Sequence, residues 1–335
     1  MNKVGVVAIG RNEGVRLERC LNSLVGQSRQ VVYVDSGSTD RSVAIARSRG
    51  VDVVELPRNA KFTAARARNA GLSKLSSEVE FVQFVDGDCE VYPYWLSKAA
   101  VVLAQNPDVV VVCGRRRERF PSASVYNLLC DMEWDTPIGP AKACGGDAMF
   151  RVSAIKAAGG YDDGLIAGEE PELCVRLRAA GGNILRIDAD MTLHDADMHR
   201  FGQWWRRNVR NGHAFAEGAA MHGNGPDRHW ARETRSNWIW GFIVPVVAIV
   251  AVWPTWGLSL LILALYPIQA FRIFRHGRHR GWPVKNSLLY SVFCTLGKFP
   301  QVIGQIKYRL RTLQGIESQL IEYKTAASPA GMERN

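Results

Sequence analysis

The sequence predicts an α/β protein: a mostly parallel sheet with helices on both faces, followed by a C-terminal transmembrane helical hairpin and an amphipathic interface helix. Three observations predict it. Apolar, β-rich runs alternate with helical patterns through about the first 225 residues, acidic residues stand directly after several of those runs, and a long uncharged stretch opens only late in the chain. Strands alternating with helices at this spacing favour a parallel sheet.

The strand-like runs are Val4–Ile9, Val31–Val34, Val51–Glu55, Phe81–Val85 and Val109–Cys113. Between them lie helical patterns: Val15, Leu17, Cys20, Leu21 and Leu24, then Val43–Arg49, Ala64–Leu75 and Tyr94–Ala104. Val4–Ile9 is too short for the core of an export signal and reads as a first buried strand, so the chain is expected to begin in the cytosol.

From Ser236 to Phe271 no charged residue occurs. A span needs ~20 apolar residues, so the break around Trp253-Pro254-Thr255-Trp256-Gly257 is expected to divide the run into two helices, about 237–253 and 256–272. Tryptophans at the start and the tip suit the lipid boundary. Arg228, Arg232 and Arg235 precede the run, and Arg272, Arg275, Arg278 and Arg280 follow it. Positive flanks stay cytosolic, and two spans put both flanks on that side. The segment at about 286–312 mixes apolar residues with Lys298, Lys307 and Arg309 and reads as an interfacial helix. The tail from about 324 reads as disordered. The expected division is therefore a cytosolic domain over 1–225 and a membrane-anchoring region over 226–335 at the inner (cytoplasmic) membrane, with both termini in the cytosol.

The chain has 335 residues and a formal charge of +10. Its apolar and charged fractions are those of a globular protein, and a mean hydropathy of −0.10 excludes a polytopic transporter. The basic balance points to an anionic partner: nucleic acid, anionic lipid or a phosphorylated substrate. Neither zinc-finger spacing nor an aromatic RNA-binding motif accompanies the charge, so nucleic acid is not expected. The seven cysteines are spread without a CxxC pair and read as reduced, packed thiols.

In open α/β sheets ligands bind beyond the carboxyl ends of the strands. Gly10-Arg11-Asn12-Glu13-Gly14 follows the first strand and Asp35 ends the second. Position alone leaves Asp35 open between turn chemistry and contact with a base or ribose. Asp86-Gly87-Asp88 follows FVQFV. Side chains at i and i+2 of an extended chain point the same way, and paired carboxylates suit Mg²⁺ or Mn²⁺, which share oxygen ligands with phosphates. Arg66, Arg68 and Asn69 in ARARNAGL suit either a solvated helix face or a diphosphate.

RNEG, VDSGSTD, ARARNAG and FVDGDC, in that order and spacing, resemble the nucleotide-binding half of glycosyltransferase family 2, with its GT-A fold. Gly145-Gly146-Asp147-Ala148-Met149-Phe150 resembles that family's acceptor-side strand, and Gly168-Glu169-Glu170-Pro171-Glu172-Leu173 its GED-x-x-L-x-x-R segment. The resemblance covers about Val4 to Ala220. It implies that Glu13, Asp35, Arg68 and Asp86 bind the donor nucleotide. Asp88, with Asp86 and His194, would hold Mg²⁺ or Mn²⁺, and Glu170 or its neighbour Glu169 would be the catalytic base. Asp147 falls on the acceptor side. Gln203 and Arg206, within RFGQWWRRNVR, suit either an acceptor carrying phosphate or a surface helix. Two residues depart from the family pattern: Glu170 stands where Asp is usual, and Arg207 where polymerising members carry Trp.

The function expected is transfer of one sugar from a nucleotide-sugar donor, UDP-linked by expectation, to a membrane-borne, lipid-linked acceptor. The reaction would be metal-dependent and inverting, in exopolysaccharide or other cell-envelope glycan assembly. Anionic lipids would account for much of the positive charge. The alternatives are a catalytically degenerate membrane-tethered nucleotide-binding or scaffold protein and a nucleotidyltransferase, for which the loop after the first strand is a poor phosphate cradle.

Overall fold

The computed structural model describes residues 3–57, 62–316 and 321. The chain forms two compact units, one ending at His199 and the other running from Arg200 to Tyr323. That division precedes the boundary expected near 225. The tail expected to be disordered lies outside the described residues.

The first unit begins β1 (Val4–Gly10), α1 (Val15–Asn22), β2 (Gln30–Asp35), α2 (Ser42–Ser48), β3 (Asp52–Glu55), α3 (Ala64–Lys74) and β4 (Phe81–Asp86). It continues through β5 (Cys89–Val91), α4 (Trp95–Gln105), β6 (Val109–Glu118), α5 (Val125–Glu133), β7 (Gly139–Pro140), β8 (Ala148–Arg151), α6 (Val152–Ala157), α7 (Glu169–Ala179) and β9 (Asn183–His194). The strands form one sheet in the order β3-β2-β1-β4-β8-β6-β9-β5, with β7 also on β9.

Among the described residues half of the strand pairings are parallel, β6 with β9 among them. β3, β2, β1 and β4 are parallel, as helical crossovers require. β8 then inserts antiparallel between β4 and β6, and β5 and β7 run antiparallel to β9. The expected mostly parallel sheet is therefore a mixed one. β7 and β8 are too short to carry a hydrophobic period, and the antiparallel half is built from long-range pairings that no local pattern encodes.

Residues 4–9 of β1 are buried throughout, as for a strand covered on both faces. α3 lies close to the sheet because Gly71 has no side chain: a Cβ there would come within 2.3 Å of Val7. Thr63 caps that helix, its Oγ1 accepting the Arg66 N–H at 3.1 Å. Phe84 packs edge-on against Phe150 and Tyr161, with ring centroids 5.5 and 5.3 Å apart.

The second unit contains α8 (Phe201–His222) and α9 (Ala231–Trp238), the latter continuing through a π-helical turn into α10 (Val244–Val250). After a turn, a tight 3₁₀ segment, Leu258–Ala264, leads into α11 (Leu265–His279), followed by α12 (Val284–Leu296) and α13 (Lys298–Leu313). α8 and α13 cross at backbone contact. A Cβ on Gly212 would meet the Gln301 carbonyl oxygen at 1.9 Å, and one on Gly304 the Val209 carbonyl oxygen at 2.0 Å. Small residues permit such close crossings.

Leu258–His279 is long and apolar enough to cross a membrane. The expected first span, 237–253, is shorter than predicted: helix gives way to a turn after Val250, so its uncharged part falls below the ~20 residues of a span. Trp253 and Trp256 at the turn are 92% and 95% exposed. The single interface helix expected over 286–312 is two helices, α12 and α13, meeting at Gly297. Pro300 supplies no N–H, which suits the first turn of a new helix.

Candidate active site

The parallel register sets Gly10 beside Asp35 and Ile9 beside Asp86, so both carboxylates stand at the carboxyl edge of the sheet. Asp35 is 2% exposed. Its Oδ1 accepts the Tyr33 hydroxyl at 2.9 Å, and its Oδ2 accepts the N–H groups of Gly37 and Ser38 at 2.9 and 2.8 Å. Burial first, and then Asp35, push the Tyr33 phenol well above its ordinary range, which keeps it a donor. Asn12, at φ 56°, ties the neighbouring loop to this turn by accepting the Thr39 N–H at 2.7 Å. Glu13 pairs with Arg16 at 3.0 Å. Asp35 thus shapes the loop after β2, using its carboxylate on the protein's own donors.

Arg68 is the centre of the second cluster. Its Nη1 donates to Glu169 Oε1 at 2.7 Å and its Nη2 to Asp86 Oδ1 at 2.9 Å. The guanidinium also lies over the Tyr161 ring, 5.5 Å from its centroid. Burial pulls the Arg68 pKa down, but Asp86 and Glu169 outweigh it and raise it overall. Helix α3 and the first turn of α7 are thereby joined to the end of β4 by one cation.

Asp147, expected on the acceptor side, is fully buried. Its Oδ1 accepts the Asp86 N–H at 3.0 Å, and its Oδ2 accepts Thr192 Oγ1 at 2.8 Å and pairs with Arg116 Nη2 at 2.7 Å. Burial raises its pKa, with Arg116 opposing. Asp147 thus ties the residue before β8 to the ends of β4, β6 and β9. Breaking a buried ion pair from one side costs about 3–5 kcal/mol. Asp147→Asn is therefore expected to lower chemical-denaturation stability by that order, and an unchanged midpoint would refute that role.

Among the described residues Asp86 and Asp88 fall in different clusters of potential ligands. Gly87 and Asp88 form a turn, so the extended-chain rule that would align the two carboxylates fails there. Asp86 groups with Cys89 and Asp147, whereas Asp88 groups with Cys89 and His194. The antiparallel register sets Cys89 opposite His194 on β9, leaving Asp88 Oδ2 3.4 Å from His194 Nε2. Both residues are buried. Burial first, and then Asp147 and Asp88, hold the Cys89 thiol well above its usual range. One carboxylate and one imidazole are thus the donors suited to a hard or borderline divalent cation.

Glu170 and Glu169 have different surroundings. Glu170 Oε1 accepts the Cys144 N–H at 2.6 Å and the thiols of Cys144 and Cys174 at 2.9 Å each, and its Oε2 accepts the Gly145 N–H at 2.9 Å. Burial foremost pushes the Cys174 thiol up to about 11. Glu170 therefore latches the loop before β8 onto α7. Glu169, buried at the start of the same helix, accepts Arg68 Nη1 on Oε1, and among the described residues no hydrogen bond engages its second oxygen.

Gln203 and Arg206 lie on α8 in the second unit. Gln203 is buried and its Oε1 accepts the Arg200 N–H at 2.9 Å, a helix cap. Four residues that sequence reasoning did not single out complete the first unit's clusters: Arg116, Glu118, Tyr161 and Thr192. The one available signal was Arg115-Arg116-Arg117-Glu118, a charged run continuing a buried apolar strand.

Residues 6–134 match the family model Glycosyl transferase family 2. The chain is 25% identical over 222 residues to Glycosyltransferase AglE of Haloferax volcanii, the match covering 62% of this chain and 71% of that protein. It is 27% identical over 240 residues to the Pre-mycofactocin glycosyltransferase of Mycobacterium tuberculosis, covering 67% of this chain but only 48% of that longer protein. The fold resembles the mannosyltransferase PcManGT of Pyrobaculum calidifontis, solved with GDP-Man and Mn²⁺, at a TM-score of 0.64 and 18% identity over 92% of this chain and 87% of the other. The family match follows the strands that bring Asp35, Asp86 and Asp88 to the sheet edge, and residues 6–134 accordingly carry a glycosyltransferase family 2 domain.

Proposed function

We propose that this protein transfers one sugar from a nucleotide-sugar donor, with a UDP-sugar the first choice, to a membrane-borne, lipid-linked acceptor. The observation that carries the reading is the pair Asp88 and His194, buried and 3.4 Å apart, beside the Arg68–Asp86–Glu169 cluster. The buried, mutually facing oxygen and nitrogen donors fit Mn²⁺ or Mg²⁺. Asp88 and His194 would hold that cation, which when bound supplies charge neutralisation for the leaving diphosphate. Asp86 would stay engaged by Arg68 and orient it toward the diphosphate.

The reaction is a displacement at the anomeric carbon. The acceptor oxygen forms a bond to that carbon as the carbon–oxygen bond to the diphosphate breaks, which inverts the centre. The acceptor's hydroxyl proton passes to Glu169 Oε2. Arg68 holds Glu169 through the other oxygen and fixes its aim, and geometry of this kind governs general-base work before basicity does. Gln203 and Arg206 remain candidates for the acceptor side.

The apolar helix Leu258–His279 and the exposed tryptophans of the preceding turn support membrane attachment. A hairpin whose first arm ends at Val250 and whose second is Leu258–His279, with α12 and α13 lying in the interface, would keep both termini at the cytosolic face of the inner membrane. The flanking arginines attract anionic lipid by ~1 kcal/mol each. Cytosolic sugar nucleotide and lipid-borne acceptor would then meet at one surface, in exopolysaccharide or other envelope-glycan assembly.

The test is calorimetric titration of UDP, GDP and CMP into detergent-solubilised protein, with and without Mn²⁺. Metal-dependent binding selective for one base is expected, and it should vanish in Asp88→Ala. Folded protein that binds none of the three would overturn the proposal.

A further inference from the structure

The geometry points to Glu118 as the positioning residue that aims His194 at a divalent cation, an inference that rests on the metal reading above. Glu118 ends β6 and pairs in register with His194 on β9. Its side chain is fully buried, and its Oε2 lies 3.4 Å from His194 Nδ1. His194 Nε2, on the opposite side of the ring, faces Asp88.

Glu118 is itself held in place. Its Oε2 accepts the Ala196 N–H at 3.1 Å, and its Oε1 accepts the Phe120 N–H at 3.2 Å and Asn127 Nδ2 at 3.3 Å. Trp134 stands edge-on to the imidazole, with centroids 4.7 Å apart. The ring therefore has little freedom to turn. A carboxylate accepts hydrogen bonds and does not donate them, and each ring nitrogen faces one at 3.4 Å; with a cation held at Nε2, the hydrogen of His194 would sit on Nδ1, toward Glu118. Among the described residues no Arg or Lys pairs with Glu118, whose Oε2 faces the imidazole. Carboxylates in this relation to a ligating histidine fix its tautomer and orientation, and their loss typically weakens metal binding by about 10–100-fold.

The test is Mn²⁺ titration of the full-length protein by electron paramagnetic resonance, alone and with UDP, GDP or CMP. Electron spin-echo modulation reads the imidazole nitrogens coupled to the bound ion. Wild type is expected to bind Mn²⁺ with nitrogen coupling that His194→Ala removes. Glu118→Leu is expected to weaken binding by about 10–100-fold, and Glu118→Gln, which keeps an acceptor and the side-chain volume, by less, with altered nitrogen coupling in both. Should Glu118→Leu not fold, Glu118→Gln carries the test. Unchanged affinity and coupling in folded Glu118→Gln and Glu118→Leu would overturn the positioning role. So would a fall in thermal stability with coupling intact, which marks a merely structural residue. Failure of wild type to bind Mn²⁺, or full binding by His194→Ala, would instead overturn the metal reading itself.

Discussion

Glu169→Gln is expected to lower kcat by about 10²–10⁴-fold, the range for loss of a general base, while leaving the thermal midpoint close to wild type. The substituted side chain still offers an oxygen to Arg68, so the buried cation keeps both partners. Glu170→Gln is expected to behave in the opposite way. Its carboxylate receives two backbone N–H groups and two thiols, and an amide has one acceptor oxygen to offer them. Buried donors left unsatisfied cost about 1–3 kcal/mol each. The expected result is a lowered denaturation midpoint, with turnover per folded molecule reduced far less than in Glu169→Gln. Steady-state kinetics and thermal melting of the two variants separate the roles. Loss of turnover in Glu170→Gln at an unchanged midpoint, with Glu169→Gln active, would reverse the assignment.

Asp88→Asn should give the second large effect. The side chain keeps its volume but loses the charge that faces His194, and removal of one transition-state electrostatic contact typically costs about 10²–10³-fold in kcat. Saturating Mn²⁺ should recover part of the loss if the variant has weakened the metal rather than displaced the donor. The measurement is kcat against Mn²⁺ concentration for wild type and variant. A variant with wild-type kcat and metal dependence would remove Asp88 from the site. Asp86→Asn should leave metal dependence nearer to wild type, since Asp86 is engaged by Arg68 and Arg116.

Much of the site's composition was legible because strand ends in a parallel sheet are easy to find. Val31–Val34 predicts a buried strand, and Asp35 follows it. FVQFV predicts another, with Asp86 at its end. The partners were not legible. Asp88 meets His194 across more than a hundred residues of chain, through a three-residue strand, β5, that pairs with the far end of β9. Nothing local in Cys89-Glu90-Val91 announces that pairing. Asp147 falls on the acceptor side by resemblance alone, and the fold buries it against Arg116 and Thr192. The two glutamates at the start of α7 are indistinguishable as letters, and a helix rotates successive side chains by about 100°, so one enters the thiol cluster and the other meets Arg68.

The sequence by itself determined the α/β class, the four parallel strands, three of which end on a carboxylate, the apolar C-terminal stretch and the resemblance to the family. These depend on local periodicity and on residue types at fixed spacings, which survive without knowledge of any distant partner. Only the tertiary structure decided that the sheet is mixed, that Asp86 and Asp88 separate at a turn, that Glu170 is latched while Glu169 meets Arg68, and that Glu118 stands behind His194. Those facts depend on strand register and on buried hydrogen-bond partners brought from elsewhere in the chain. A register is set by the whole sheet's burial, and moving it by one residue turns every side chain to the opposite face.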